Sequence, residues 1–291
     1  MYEEKKFQEQ MAKAKARGNA QKSVEPPAVL SPVRHPQMDF FVADILDASF
    51  KDDMASMEHP LFALKAGDKR VRVYERNSMT VTIKPGSDGC ATIHDKDIWI
   101  YCISQMVEAI NRGRDDVART VRFTAHDFLV TTNRQTSGEG YRLMAEALAR
   151  LRGTSIETNI ETDGVRARQG FGLIDSWRVV ERDGQKMTAV EVTLSDWLFR
   201  SVMAKQVLTL SRDYFRLRKP LDRRIYELAR KHCGAQKQWT ISVSVLHQKS
   251  GSTAPLRNFR VAVKALAESD QLPDYRMAFD AQADTATFSR R

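Results

Sequence analysis

The sequence predicts an α+β protein of two tandem winged-helix domains, each a helix-turn-helix with a β-wing, behind a flexible N-terminal tail. Three observations carry this reading. Placed without a gap at an offset of 118, "FTAHDFLVTTNRQTSGEGYRLMAEALA" (123–149) matches "ISVSVLHQKSGSTAPLRNFRVAVKALA" (241–267). In both halves a helical period gives way to alternation, as hairpins following helices require. Of the net charge of +9, residues 209–291 hold +8 and residues 1–208 only +1, so the two units are unequal.

The bounds agree. With 291 residues, 42% hydrophobic and 29% charged, the chain has the profile of a soluble globular protein with room for two cores. No apolar run approaches the ~18 residues of a membrane span, and "IWIYCI" (98–103) reads as a buried segment. The start, "MYEEKKFQEQMAKAKARG", is not a secretory signal. Cys90, Cys102 and Cys233 are far apart and odd in number, which suggests buried thiols in a reducing compartment. A cytoplasmic protein is expected.

Residues 1–36 are polar, charge-mixed and interrupted by Pro26, Pro27, Pro32 and Pro36, and read as a disordered tail. The first domain is expected over 37–208. Its folded part begins with residues 39–50 and the hairpin "RVRVYERNSMTVTIK" (70–84), which turns at Asn77-Ser78. A helix follows Asp95 and stops at Gly113. Two more helices, "FTAHDFLV" and "GYRLMAEALARL", precede a meander of strands turning at Asp163-Gly164 and Asp183-Gly184, and a helix from Ser195 to Met203 closes the unit. The second domain, 209–291, repeats the plan. "KPLDRRIYELARKHCG" is a helix with Pro near its first turn and Gly234 past its end. A short helix, a turn at Gly251, a long helix and the strands "DYRMAF" and "ATFSRR" follow.

The repeat aligns position by position. Phe123 falls on Ile241 and Phe128 on Leu246 as core residues. Thr124 falls on Ser242 as helix caps. Asn133 falls on Gly251, the two residue types that best tolerate a left-handed turn. On the last helix Leu256, Phe259, Ala262, Val263 and Leu266 form one face, while Arg257, Asn258, Arg260, Val261 and Lys264 turn away from it. Glu139 and Glu146 stand where the second copy has Arg257 and Lys264, and only Arg260, matched by Arg142, is basic in both. Carboxylates are repelled by phosphate and by guanine's acceptor edge, so the second copy's helix suits a major groove and the first copy's does not.

Roles follow from side-chain chemistry. Arg257 and Arg260 suit bidentate contacts to guanine, Asn258 suits adenine or phosphate, Val261 a thymine methyl, and Lys264 a phosphate. Ser252 and Thr253 either bond phosphate at the helix start or act as caps. Lys219, Arg223, Arg224 and Lys249 are candidate backbone clamps, with pairing to nearby carboxylates the alternative for the two arginines. Arg134, Arg142, Arg166 and Arg168 are auxiliary candidates in the first domain, on a loop and a wing tip.

No catalytic constellation emerges. There is no G-x-x-x-x-G-K-[ST] loop, and the six histidines lack metal-ligand spacing. Asp52-Asp53 and Asp115-Asp116 read as surface charge. Tyr226 reads as core, not as a nucleophile. No cofactor or metal is expected.

"LRKPLDRRIYELARKHCG" (217–234), "WTISVSVLHQKSG" and the arginine-bearing helix resemble the second winged-helix domain of plasmid replication initiators, through the core Arg224-Ile225-Tyr226-Glu227-Leu228. From Phe40 to Phe279 the chain resembles their RepA-type branch, with "DIWIYCISQ", "SGEGYRLMAEALARLRGTSIET" and "VTLSDWLFR" the most telling segments of the first half. The resemblance implies binding to repeated double-stranded origin sites (iterons) on a plasmid in a bacterial cell. It also implies recruitment of the host initiator and replicative helicase. A homodimer, formed through the first domain in equilibrium with monomer, would repress the protein's own promoter. The alternative is a winged-helix transcription regulator on a palindromic operator. The N-terminal part, about 1–90, departs from the better-known members.

Overall fold

The computed structural model describes residues 30–32, 34, 49–76, 78–161, 164, 166–182, 186–234 and 236–291. Most of the expected tail, the segment 39–48, and Asn77, Asp163, Asp183 and Gly184 of the expected turns lie outside the described residues.

The first half opens with β1 (Lys51–Asp53) and α1 (Met54–Glu58), which begins where Asp53 accepts a hydrogen bond from the Ser56 amide. The hairpin β2 (Arg72–Arg76) and β3 (Met79–Lys84) follows, then α2 (Lys96–Asn111). Next come β4 (Thr120–Phe123), α3 (Ala125–Thr131) and α4 (Gly138–Gly153). Strands β5 (Ser155–Thr158), β6 (Gln169–Gly172), β7 (Ile174–Arg182) and β8 (Lys186–Leu194) lead to α5 (Asp196–Met203) and β9 (Val207–Thr209). A 3-10 turn (Arg212–Arg216) enters α6 (Pro220–Cys233), β10 (Gln238–Ser242), α7 (Val243–Ser250) and α8 (Leu256–Ser269). The hairpin β11 (Tyr275–Asp280) and β12 (Thr285–Arg290) ends the chain.

The two copies superpose in plan. Each runs helix, strand, helix, helix and a closing pair of strands, with β5 and β6 inserted before that pair in the first copy only, and its three strands pair in the order first, third, second: β4-β8-β7 and β10-β12-β11. Thr124 caps α3 and Ser242 caps α7, each through its side chain. Asn133 at φ 56° and Gly251 at φ 69° make the expected left-handed turns. The gapless offset holds because these caps and turns fix helix length, which leaves no room for a slip.

The expected single meander is a correction. It divides at Leu173: β5 and β6 join β2 and β3 in a four-stranded sheet, while β7 and β8 pair with β4. Gly172 allows the break, since a Cβ there would lie 2.8 Å from the Ile174 carbonyl oxygen. The Leu173 carbonyl, freed from strand pairing, accepts from the Trp99 indole at 2.9 Å.

Two apolar cores form. One is built on Trp99, Phe128, Leu148 and Trp197 of the first half, the other on Tyr214, Tyr226, Phe259 and Phe288 of the second. The second core also takes Phe50, Met57 and Ile100 from the first half. Strand β9, across the expected 208–209 boundary, pairs back onto β1.

The halves are joined by a buried ionic seam. Lys96, fully buried, donates to Asp52 at 2.6 Å and faces Glu227 on α6 at 3.0 Å. Arg224 shares Glu227 at 3.1 Å, and Arg223 reaches Asp97 at 2.6 Å. Asp52 and Asp53, expected on the surface, are fully buried. The buried position is tenable because Lys96 neutralises Asp52, while Asp53 accepts from the Ser56 amide and from Ser201 Oγ. Residues 30–32 and Arg34 also bridge the halves. Ser31 bonds Arg216 through main-chain atoms, and the Asn133 side chain bonds Ser31, Pro32 and Arg34.

Candidate nucleic-acid interface

Helix α8 buries Phe259, Val263 and Leu266 against the second core. Its outer face carries Arg257, Asn258, Val261 and Lys264, all exposed. Val261 is 69% exposed, which no core requires. Arg257 makes no ion pair among the described residues. Lys264 meets Glu268 at 3.7 Å, an exposed pair worth a few tenths of a kcal/mol. At the start of α8, exposed Thr253 and half-buried Ser252 line a shallow depression of about 250 Å³ together with Lys219 and Lys65. The structure thus gathers Arg257, Asn258, Val261, Lys264, Ser252, Thr253 and Lys219 around one helix.

Arg260 sits on the same helix but is not unattached. Asp284, in the turn before β12, holds its guanidinium through two bonds of 2.8 Å. Sequence inspection did not single out Asp284; only the pairing of β10 with β12, which sets Thr285 opposite Ser242, brings it there.

Four expected contacts are corrected. Arg223 and Arg224 are 3% and 2% exposed and cannot clamp a DNA backbone. Besides its carboxylate, Arg224 bonds the carbonyls of Ser56, Met57, Glu58 and Lys249, orphan acceptors at the ends of α1 and α7. Arg223 bonds the Leu217 and Phe215 carbonyls besides Asp97. Lys249 is turned to Glu58, as is His232 at 2.7 Å. Burial alone would raise the Glu58 pKa, but the bonds from His232 and Lys249 prevail and hold it well below the usual carboxylate range. Arg134 meets Asp97 at 2.7 Å and the His94 carbonyl at 2.5 Å.

In the first half the helix matching α8 is α4, and Arg142, at the position matching Arg260, is enclosed by carboxylates of the same helix. Arg142 bonds both oxygens of Glu139, at 2.8 and 2.6 Å, and also bonds Glu146. Arg166 and Arg168 are exposed, but they lie between β5 and β6 and not at the β7–β8 wing tip. Arg166 bonds the Ser78 carbonyl at 2.7 Å.

Tyr214 and Tyr226 are fully buried. Tyr214 donates to Glu227 at 2.7 Å and Tyr226 to Asp274 at 2.9 Å. Among the described residues no group of three or more His, Cys, Asp or Glu could hold a metal, and no helix is long and apolar enough to cross a membrane. The three cysteines are buried and free.

The profile of the family described as replication initiator protein A matches residues 51–277, a span that runs from β1 into β11 and so includes both units. The chain belongs to that family. The resemblance carried by "DIWIYCISQ" and "RRIYEL" therefore holds. A curated protein of Wigglesworthia glossinidia brevipalpis, described as "Putative replication protein", is 44% identical over 257 residues, 87% of this chain and 94% of that one. Among solved structures, a crystal structure of selenomethionine derivatives of domains 2 and 3 of RctB matches with a TM-score of 0.58 at 10% identity, over 81% of this chain and 96% of that one. A second crystal structure of RctB domains 2-3 gives 0.52 at 10% identity, over 78% and 93%. At that identity the likeness extends to the mixed α+β fold of this initiator.

Proposed function

We propose that this replication initiator is a sequence-specific DNA-binding protein that reads repeated double-stranded sites at a plasmid origin with α8. On this reading its two units are winged helices, over about 37–208 and 209–291, and only the second inserts its third helix into the major groove. The observation that carries the reading is the face of α8. It combines two exposed cations, an amide and a stranded valine, while α4 closes Arg142, the arginine that matches Arg260, between two glutamates. Lys219, Ser252 and Thr253 at the helix start would touch phosphate.

Arg166 and Arg168 remain the auxiliary phosphate candidates of the first unit, while Arg142, whose guanidinium Glu139 and Glu146 occupy, drops out of that set. The family's other activities are proposed with it: recruitment of the host initiator and replicative helicase, a monomer–homodimer equilibrium, and repression of its own promoter in the bacterial cytoplasm. Binding proceeds without covalent catalysis or cofactor. Supercoiled origin plasmid incubated with the protein and a divalent metal should stay unnicked.

Footprinting the purified chain on DNA flanking its own gene tests the central claim. Regularly spaced protected direct repeats are expected. A single protected inverted repeat would instead mark a transcription regulator.

A further inference from the structure

We propose that Asp284 is a specificity-determining residue of the α8 surface: it grips one edge of Arg260 and leaves the guanidinium's other end aimed at a guanine. This rests on the reading of α8 as the recognition helix.

A guanidinium has five N–H donors in a planar fork. Asp284 Oδ1 takes the Nε proton and Oδ2 takes one Nη2 proton, each at 2.8 Å. The remaining three lie at the Nη1–Nη2 end, the pair of nitrogens that matches O6 and N7 of guanine. The bridge spans 24 residues and ties the wing turn to α8. Asp284 is itself fixed, because its carbonyl accepts from the Val243 amide at 2.9 Å at the start of α7. Its φ of 49° places it in the tight turn before β12. One residue therefore links α7, the wing and α8, and points Arg260 in one direction.

The first unit supplies the control. Arg142 is gripped in the same way, with Nε and Nη2 on the two oxygens of Glu139. There, however, Nη1 is taken by Glu146, so the far end of the fork is closed. At the matching position the second unit has Lys264, which cannot close it. The same anchored arginine is stoppered in one copy and open in the other.

An anchored arginine reaches its base with its rotamers already restricted, so less entropy is lost on binding. The carboxylate also cancels its attraction to phosphate. Asp284 thereby favours the correct base over any backbone, which raises discrimination more than affinity.

The test uses the full chain in fluorescence-anisotropy titrations against two duplexes: the fragment most strongly protected beside its own gene, and a shuffled version. Asparagine tolerates the positive φ, so Asp284→Asn leaves the turn intact. Asp284→Asn should lose roughly 10-fold on the protected duplex and lose nothing on the shuffled one. Asp284→Asn combined with Arg260→Ala should bind no worse than Arg260→Ala alone, and Asp284→Glu should retain most of the discrimination. Unchanged discrimination in Asp284→Asn, or a loss that adds in full to that of Arg260→Ala, overturns the proposal. Should Asp284→Asn melt early, Asp284→Glu decides: lost discrimination in a folded Asp284→Glu protein overturns it as well. If the unmodified chain does not separate the two duplexes, the reading of α8 falls and this inference falls with it. If it does separate them, a failure of the variants overturns the inference alone.

Discussion

At the scale of single residues, the consequences differ according to whether a cation is exposed or enclosed. Arg257→Ala and Arg260→Ala should each cost about 1–3 kcal/mol in binding to the protected repeat, with far-UV circular dichroism unchanged. On the proposed reading, in which α4 stays out of the groove, Glu139→Ala should barely alter that affinity although it loosens Arg142. A large loss there in the same titration would mean that both units read bases. Glu58 makes a pH-dependent contribution. Its carboxylate is held below the ordinary 4.5 by His232 and Lys249, so its stabilisation is present above that value and fades as pH falls through the lower folded one. Thermal melts should show the unmodified chain above Glu58→Gln at neutral pH, with the gap closing below pH 4.5.

At the scale of elements, the turns after α3 and α7 share a left-handed residue but not its duties. Gly251 packs so tightly that an added Cβ would lie 2.6 Å from Pro60 Cβ. Gly251→Ala should therefore lose about 1–2 kcal/mol from backbone conformation alone and more from the clash, read as a lowered Tm. Asn133→Gly keeps the turn and removes the side-chain bonds to Ser31, Pro32 and Arg34. Its melting should change little, while the Arg34 amide exchanges faster. These elements were legible in the sequence because caps, turns and apolar spacing are local signals. Thr124, Ser242, Asn133, Gly251 and the buried stripe of α8 all follow from neighbours within a turn or two. What was not legible depends on contacts between distant segments. Arg223 and Arg224 read as backbone clamps or as partners of nearby carboxylates, a choice settled only when residues 56–58 and 97 arrive beside them, and Asp52 read as surface until Lys96 reached it.

At the scale of the whole molecule, the seam couples the units. Lys96 stands between Asp52 and Glu227, each at hydrogen-bond distance and none exposed by more than 1%. Lys96→Ala leaves Asp52 without its counter-charge in a dry interior, while Glu227 keeps Arg224, and should cost about 3–5 kcal/mol, measured by urea unfolding followed through tryptophan fluorescence. The charge imbalance between the halves was plain from composition. Their shared core was not, because Phe50, Met57 and Ile100 carry no mark of which half they will serve.

Because α6 both opens the second half and plugs into its neighbour, that half is not a detachable module. A fragment cut near residue 209 would present Arg223 without Asp97, Arg224 without the carbonyls of residues 56–58 and an uncapped apolar floor to solvent. Loss of DNA retention by such a fragment would report a damaged scaffold, and deletion mapping would credit the effect to the missing half. Point substitutions on the intact chain are the sound way to apportion recognition in this protein.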